Sequence, residues 1–447
     1  MRKLLLYFFA FHLIFIGCKP NLRNEPASAG AAKTDKVVYI GDGYLGGLQD
    51  GALSARSQQY SIAALINRAF EHVSTPSLEQ AFLQTNFSIG YNLKPWESDF
   101  LTASKLGDRA DCKGVTSLGP KRDFLFYSNI SVSVQPISHQ SLNWAIPYMN
   151  TAEYINSSQS NEWPVGNLFL HRISSGVGTK SALSEVQSEN ASFSVIWLGM
   201  ENIYRFARFG GVGVGLISPA QFEAELDNIL SSTSAAQGQA VIANIPDFRS
   251  FPFYTLIKPN AANLSKNQAD SINDLYHLGG GFQEINFVEG ENFFLIQDAA
   301  ATDGYRHMLP GEFITLGIPL DSVKCQFMGL LIEVIPDKYS LDSIEVTLLD
   351  YTISQYNQII RQKAVQYGIA LVDMHSFFKK VNQGFTANAV NISGEFVSGG
   401  FFSLDGFHPT EKGSNMLAIE FIKAINTHYG ATIPQETCLD CNGVLFP

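Results

Sequence analysis

Short apolar runs, separated by longer segments with helical spacing, give the first picture of this chain. Four runs are apolar at nearly every position, which is typical of strands buried on both faces of a parallel sheet. They cover Val37–Ile40, Phe193–Leu198, Ala240–Ile245 and Ala370–Val372. Each run ends in glycine or polar residues, where the chain would leave the sheet as a loop. The pattern therefore predicts four central β-strands.

Apolar positions three or four residues apart predict helices between these strands. The helices are expected over Tyr60–Phe70, Pro219–Leu230, Leu341–Tyr367 and Thr410–Tyr429. In the third helix, a drifting apolar face is formed by Leu341, Ile344, Leu348, Ile353, Ile359 and Ile360. Alternating strands and helices predict an α/β fold with three layers, a parallel sheet between helices. Such sheets bind ligands at the carboxyl ends of their strands.

Two stretches interrupt this alternation. Residues 85–192 are rich in Ser, Asn, Pro and aromatic residues, and residues 251–335 are rich in Gly, Phe and Asn. We interpret both as insertions, or as a cap over the strand ends, within one domain covering residues 36–430. Residues 431–447 form a C-terminal tail.

The N-terminus has the pattern of an export signal. Arg2 and Lys3 precede an apolar run that is too short for a good transmembrane helix, and Phe15-Ile16-Gly17-Cys18 resembles a bacterial lipobox. We therefore expect residues 1–17 to be a lipoprotein signal peptide and Cys18 to carry acyl chains such as palmitate. Residues 18–35 are expected to be a flexible tether. An ordinary secretory peptide, cut near Ala27-Ser28-Ala29, is the alternative.

Composition agrees with an exported globular protein. Hydrophobic residues make up 45% of the chain and charged residues only 16%, which favours a full core. The net charge of −11 argues against nucleic acid, because no basic stripe would neutralise phosphates. The expected location is a bacterial membrane, at the outer membrane or cell surface, with attachment through the lipid.

The cysteines and histidines indicate neither a metal nor a cofactor. Cys438 and Cys441 form a CxxC in the tail, without a second pair or a nearby histidine to complete a zinc site, and in an exported protein we expect a local disulfide. A second bridge between Cys112 and Cys325 remains open. The lone histidines have no metal-ligand spacing; they are His72, His139, His171, His277, His307 and His375.

Two motifs flank the predicted domain and carry the candidate chemistry. Gly41-Asp42-Gly43 follows the first strand, and Ser403-Leu404-Asp405-Gly406-Phe407-His408 precedes the last helix. They resemble the first and last signature blocks of the SGNH (GDSL-type) hydrolases. Large bacterial members of that family are also similar in further segments, here Gln49–Leu53, Ala243–Asp247 and Pro336–Tyr339. The resemblance extends from Lys36 to Tyr429 and implies an SGNH-hydrolase (flavodoxin-like) fold.

The resemblance also implies roles for three residues. The family has its nucleophilic serine where this chain has Gly43, whereas Asp405 and His408 match the acid and the base that activate it. The simpler interpretation of the latter pair is a helix N-cap with an incidental histidine. Ser54 and Ser57 follow the first block, and we interpret them as helix caps rather than as a relocated nucleophile.

The oxyanion-hole positions implied by the family also differ. Gly43 supplies one backbone N–H, but Tyr148 occupies a position where glycine is usual, and Glu201 replaces the donor asparagine. A one-residue shift of register would put Asn202 in that role instead. Glu201 is also spaced to pair with Arg205 along a helix.

Three altered hallmark positions, each opposing ester hydrolysis, favour a catalytically degenerate family member that binds an ester, acyl or glycan ligand. One alternative is a working esterase or lipase in which Asp405 and His408 activate water or an unrecognised nucleophile. Another is a structural or adhesive surface lipoprotein. No protein partner follows from the sequence.

Overall fold

The computed structural model describes most of the chain from residue 26 onward. The described residues are 26–74, 143–156, 168–174, 180–278, 284–331, 333–387, 390–435, 438 and 440–444. The signal peptide, Cys18, Cys112 and most of the first insertion therefore lie outside the described residues. Among the described helices, none combines the length and the apolar composition needed to cross a membrane.

The strands of the described chain form one large sheet and four small ladders. In chain order they are β1 (Val37–Gly41), β2 (Asn143–Ala145), β3 (Phe193–Trp197), β4 (Ala240–Ala243), β5 (Ala262–Leu264), β6 (Gly290–Asn292), β7 (Leu295–Gln297), β8 (Tyr305–His307), β9 (Phe313–Ile314), β10 (Ser340–Leu341), β11 (Ala370–Val372), β12 (Phe385–Ala387) and β13 (Val390–Ile392).

The helices lie mostly between these strands. They are α1 (Gly43–Gly46), α2 (Ala55–Gln59), α3 (Ile62–Phe70), α4 (Thr151–Asn156), α5 (Leu168–Ile173), α6 (Ala182–Ser188), α7 (Met200–Arg208), α8 (Pro219–Ser231), α9 (Pro252–Thr255), α10 (Lys266–His277), α11 (Leu320–Cys325), α12 (Ser343–Tyr367), α13 (Met374–Gln383) and α14 (Glu411–Tyr429). Short 3-10 turns cover Ser234–Gln237, Phe248–Ser250 and Asp337–Tyr339.

The central sheet has the order β11-β4-β3-β1-β2, and all four of its strand pairs are parallel. Its buried strands confirm the four strands predicted from the apolar runs. Helix α12 packs against α7 and α8, while α14 packs against α3, so the predicted α/β/α arrangement is also confirmed. Numbered along the chain, the strand order is 2-1-3-4-5. In this order the connections reverse direction between β1 and β3, where such folds bind ligands.

The edge strand β2 corrects one prediction. It lies inside the stretch assigned to the first insertion, yet it pairs with β1 through Tyr39 and Asn143, and α4 and α6 also belong to the helical layers. At three residues, β2 is too short to give a periodic signal.

The long helix α12 corrects another prediction. Its N-cap, Asp342, accepts hydrogen bonds from the first-turn N–H groups of Ile344 and Glu345. Ile353, Ile359 and Ile360 are buried as expected, but the side chain of Ile344 is 74% exposed and that of Leu348 is 41% exposed. The buried face begins only at Leu349, where the helix reaches α7 and α8.

Most of the second insertion builds its own hydrophobic cluster. The buried side chains come from Ile257 to Ile335 and include Phe294, Leu295 and Ile314. Three antiparallel ladders, β5–β6, β7–β8 and β9–β10, hold this unit together, with β10 supplied by the segment that leads into α12. We call residues 256–335 the cap unit.

Part of the predicted tether is packed rather than flexible. Ala31 N–H donates to Tyr429 O at 2.9 Å, and Thr432 N–H donates to Ser28 O at 2.8 Å. Thr34 is buried, and Lys33 N–H donates to Gln239 Oε1 at 3.0 Å. Residues 26–34 therefore lie at the amino ends of the strands, opposite the edge where the signature blocks meet.

The tail carries the expected disulfide between Cys438 and Cys441, whose Cα atoms are 5.4 Å apart. Hydrogen bonds connect this tail to the start of α14. Cys438 N–H donates to Asn415 Oδ1, and Asn442 N–H donates to Glu411 Oε2.

A matched pair of substitutions tests the corrected face of α12. We expect Ile360→Ala to lower the free energy of unfolding by about 2–5 kcal/mol, because it leaves a cavity at a fully buried position. Ile344→Ala should change it by less than about 0.5 kcal/mol, because the side chain is mostly exposed. Urea unfolding monitored by circular dichroism measures both. Equal losses would contradict the exposure of Ile344.

Candidate functional site

The site begins where β1 ends. Asp42 caps the one-turn helix α1, with its carboxylate accepting the N–H of Tyr44 at 3.0 Å. This turn points position 43 out of the sheet edge. Gly47 and Leu48 N–H groups both donate to Gly43 O, which fixes the turn.

Gly43 lies directly against His408. A Cβ atom at position 43 would lie 3.2 Å from His408 Nε2 and 3.1 Å from Leu48 Cβ. Both distances are shorter than ordinary van der Waals contact, so His408 and Leu48 would have to move by a few tenths of an ångström to admit a side chain. The structure thus brings together Gly43 and His408, which lie more than 360 residues apart in the sequence.

Asp405 and His408 form a buried pair. His408 Nδ1 lies 2.7 Å from Asp405 Oδ2, which leaves Nε2 directed towards Gly43. Asp405 Oδ1 also accepts the backbone N–H groups of Phe407 and His408. Burial raises the pKa of Asp405, but the neighbouring His408 and these hydrogen bonds outweigh it, so the pKa lies below its ordinary value. The carboxylate stays ionised and orients the imidazole.

The loop at Asp50 and Gly51 holds Asp405 in position through hydrogen bonds to residues 403–405. Gly51 N–H donates to Asp405 Oδ2 at 2.9 Å, and Asp50 N–H donates to Ser403 Oγ at 2.9 Å. In return, Leu404 N–H donates to Asp50 Oδ1 at 2.8 Å. These bonds give a physical role to the Gln49–Leu53 segment, which the sequence marked only by its resemblance to the family.

The turn at Gly406 also contacts Leu316 of the cap unit and Phe253 of helix α9. Gly406 has a φ of +69°, and a Cβ there would meet Leu316 Cδ2 and Phe253 N at 3.0 Å. Phe253 N–H donates to Gly406 O at 2.9 Å. Position 406 therefore needs glycine both for its left-handed backbone and for the close approach of the neighbouring chain.

Tyr148 adopts a backbone conformation that suits glycine. Its φ is +61°, in the left-handed region that bulky residues rarely enter. Arg205 stabilises this conformation, since its Nη2 donates to Tyr148 O while its guanidinium also binds both carboxylate oxygens of Glu153. The Tyr148 ring lies 6.4 Å from that of Phe169.

Glu201 takes part in a buried ion-pair cluster. Its Oε1 lies 3.4 Å from Arg205 Nε, which is the pairing expected from the sequence, and its Oε2 lies 3.3 Å from Arg208 Nη2. Burial lowers the pKa of Arg208, but the carboxylate of Glu201 outweighs it and raises that pKa above its usual range. The arginine therefore stays charged.

Asn202, the donor that a shifted register would use, is hydrogen-bonded to Thr151. Its Nδ2 donates to Thr151 Oγ1 at 2.9 Å, and its Oδ1 accepts the N–H of Thr151 at 3.2 Å. Both polar atoms of the side chain hold α4 against α7.

Ser54 and Ser57 form a reciprocal capping box at the start of α2. Ser57 N–H donates to Ser54 Oγ, and Ser54 N–H donates to Ser57 Oγ. Both side chains are buried in this role, as the capping interpretation predicts.

Two components of the site were missed in the sequence. Arg208 follows Glu201 by seven residues, two helical turns later on the same face, and that spacing could have indicated the pairing. Phe407 lies within the last motif, but its place in the sequence does not indicate that it contacts both His408 and Arg208. Its ring lies 5.0 Å from His408, and the Arg208 guanidinium lies 5.8 Å above it.

Comparison with known proteins gives only distant structural likenesses. No family model matches the sequence, and no curated protein is significantly similar. Among solved structures, the chain is similar to LAE5, described as an alpha/beta hydrolase enzyme from the metagenome of Lake Arreo in Spain, with a TM-score of 0.36 and 10% identity over 88% of this chain and 96% of that one. It is also similar to Axe2, an acetylxylan esterase from Geobacillus stearothermophilus, with a TM-score of 0.34 and 9% identity over 89% and 96% of the two chains. The fold assignment rests on the strand order and helix packing given above.

The buried Asp42 allows a test of the site's electrostatics by pH. Burial raises the pKa of its carboxyl to about 7, with a further contribution from Glu201. Because the folded pKa lies above the unfolded value, ionisation of Asp42 lowers the stability of the native protein progressively between about pH 4 and 7. Asp42→Asn removes the charge and keeps an acceptor oxygen. We therefore expect the stability of this variant relative to the native protein to rise by a few kcal/mol between pH 5 and 8, at about 1.4 kcal/mol per pKa unit.

Asp373→Asn is the matched control for this series. Asp373 also caps a helix, α13; burial raises its pKa, but hydrogen bonds from Ser376 and Asn244 outweigh burial and hold it below the ordinary value. Its carboxylate is ionised throughout this range, so the relative stability of the control should stay flat between pH 5 and 8. Thermal unfolding at each pH measures the stability of both variants relative to the native protein. If the relative stabilities of the two variants changed with pH in the same way, the raised pKa of Asp42 would be contradicted.

Proposed function

We propose that this chain is a lipid-anchored, extracytoplasmic protein with an SGNH-hydrolase-like domain that no longer hydrolyses esters and instead binds a ligand at the former catalytic site. The contact between Gly43 and His408 carries the proposal. The imidazole is buried, oriented by Asp405 and directed at position 43. Glycine there offers no atom that could attack an ester.

The surroundings of position 43 support the loss of hydrolysis. Acyl transfer develops negative charge that an active site stabilises with hydrogen-bond donors. Glu201 offers a carboxylate at the position of the usual donor, and it is buried and fixed by Arg205 and Arg208. Tyr148 adds a large ring where the family has glycine. Both Glu201 and Tyr148 would weaken the stabilisation of the negative charge that develops in acyl transfer.

The intact Asp405–His408 pair favours a second candidate function. A base held at this geometry could activate a water molecule directly, which would make the protein a slow esterase. Assays on carboxylic esters separate the two candidates.

A lipid on Cys18 would limit how far the domain can lie from the membrane. Residues 26–34 pack at the amino ends of the strands, which leaves only residues 18–25 between Cys18 and the domain. Eight residues span at most about 28 Å. Helix α14, with 19 residues, runs from the site back to this edge and is itself about 28 Å long. A lipid on Cys18 would therefore hold the amino edge within about 28 Å of the membrane surface, with the site at the opposite edge of the sheet.

Esterase assays on the full chain in detergent test the loss of activity. We expect the native protein to hydrolyse short and long acyl esters no faster than His408→Ala. Gly43→Ser should restore little, because the new Cβ crowds His408 and Glu201 still opposes the oxyanion. Combining Gly43→Ser with Glu201→Asn and Tyr148→Gly should do better than Gly43→Ser alone, since one oxyanion donor contributes about 2.7–4 kcal/mol.

Hydrolysis by the native protein that disappears in His408→Ala would refute the degenerate site and favour the second candidate. Thermal unfolding of each variant shows whether a missing activity reflects a misfolded chain.

Mass spectrometry of the mature N-terminus tests the anchor. We expect an acylated Cys18 as the first residue, and Cys18→Ser should release the protein from the membrane fraction, because one anchoring site is lost. Cys438→Ser is the control, since it removes a cysteine from the tail disulfide and leaves the anchor intact. An unmodified N-terminus beginning near Ala27 would contradict the lipoprotein proposal.

A further inference from the structure

Arg208 has more hydrogen-bonding capacity than its neighbours in the described part of the chain use. Its side chain is 21% exposed, and its one hydrogen bond within the described part of the chain joins Nη2 to Glu201 Oε2 at 3.3 Å. A guanidinium has five N–H donors in one plane, enough to bind a second planar acceptor. The remaining donors of Arg208 therefore have no partner in the described part of the chain.

Aromatic side chains hold this guanidinium in position. Its Cζ lies 5.5 Å from the centre of the Tyr148 ring and 5.8 Å from that of Phe407. Both rings offer cation–π contacts, which fix an arginine without using its N–H groups. Arg208 is thus oriented while most of its donors stay unused.

The guanidinium belongs to the same edge of the sheet as the candidate base. Phe407 contacts Arg208 and also His408, whose ring centre lies 5.0 Å from its own. His408 Nε2 has no hydrogen-bond partner among the described residues and is directed at Gly43. Arg208 and His408 therefore both contact the Phe407 ring, and His408 also faces a position that lacks a side chain.

The donors of Arg208 that have no partner among the described residues favour an acid over its neutral counterpart. Arg205 binds Glu153 through two hydrogen bonds, at 2.7 and 2.9 Å, and holds Glu201 only at 3.4 Å. Glu201 is thus shared between two cations. A ligand carboxylate can form charge-assisted bonds with the free edge of Arg208, whereas an ester or amide carbonyl can accept only the weaker neutral kind.

We propose that the site recognises the carboxylate group of an organic acid through Arg208. This inference rests on the proposed function, since it names the chemistry of the ligand that a non-hydrolysing site would retain. The carboxylate could come from a free fatty acid or from an acidic sugar, and the two sources need separate probes.

Calorimetric titration of the full chain in detergent tests the proposal with two matched pairs of probes. Butyrate is compared with butyramide, and glucuronate with glucose. We expect at least one acid to bind at least about tenfold more tightly than its neutral counterpart. Which acid binds separates an acyl source from a sugar source.

Variants of Arg208 then assign the preference to this residue. Arg208→Gln should remove the preference for the acid, and Arg208→Lys should keep only part of it, because an ammonium lacks the planar fork. Arg249→Gln is the control: this arginine is 36% exposed and pairs with Asp247 and Asp350, and its loss should leave the binding unchanged.

Three outcomes would overturn the inference: no binding of either acid, equal binding of acid and neutral probe, or a preference that survives in Arg208→Gln. If Arg208→Gln fails to fold, the affinities of the acid and neutral probes for the native protein and for Arg208→Lys still test the inference. The result is separable from the proposed function. Ester hydrolysis by the native protein would refute the degenerate site and leave the acid preference standing, whereas absence of both hydrolysis and acid binding would refute only this inference.

Discussion

The carboxylate of Asp405 joins parts of the chain that lie more than 350 residues apart. It accepts hydrogen bonds from Gly51, at the start of the domain, and from Ser403 and Phe407, at its end. Burial of an ionised carboxylate is costly unless its lone pairs are satisfied, and here hydrogen bonds and His408 satisfy them. The first loop and the last turn therefore have to meet in one arrangement for this charge to be buried.

The hydrogen bonds of Asp405 and His408 have a structural role whether or not the pair acts in catalysis. In an active hydrolase Asp405 and His408 would serve catalysis, but their hydrogen bonds also connect the two ends of the domain. Removing either would leave a buried polar group without its partner, which is destabilising whether or not the protein reacts with anything. Gly43 has no such second role, because position 43 contributes only backbone to the turn. Position 43 therefore contributes little to holding the fold together, whereas Asp405 and His408 connect its two ends.

The sequence predicted the elements whose signals are local and long. Four strands buried on both faces appear as continuous apolar runs, and the long helices begin at caps such as Asp342 and Thr410. Strand β2 was missed because three residues give no period. Ile344 and Leu348 were misjudged because apolar residues on one face do not reveal where that face leaves the core.

Contacts between distant segments account for what the sequence could not supply at the site. Asp50 and Ser403 lie next to each other only after folding, so neither motif alone indicates the hydrogen bond between them. The resemblance to a family located Gly43 and His408, and it identified Tyr148 and Glu201 as departures. It could not show that Arg205 and Arg208 accompany these departures, because the partners of a substituted residue depend on packing.

The substitutions at Tyr148 and Glu201 form one physical unit. A bulky residue in the left-handed region costs about 1–2 kcal/mol, and Arg205 offsets part of that cost by binding the carbonyl of Tyr148. Arg205 can do so because Glu153 and Glu201 fix its guanidinium, and Glu201 also pairs with Arg208. The Tyr148 ring then lies beside Arg208. Replacing one member alone would leave another unpaired or strained, so these residues depend on one another in the fold.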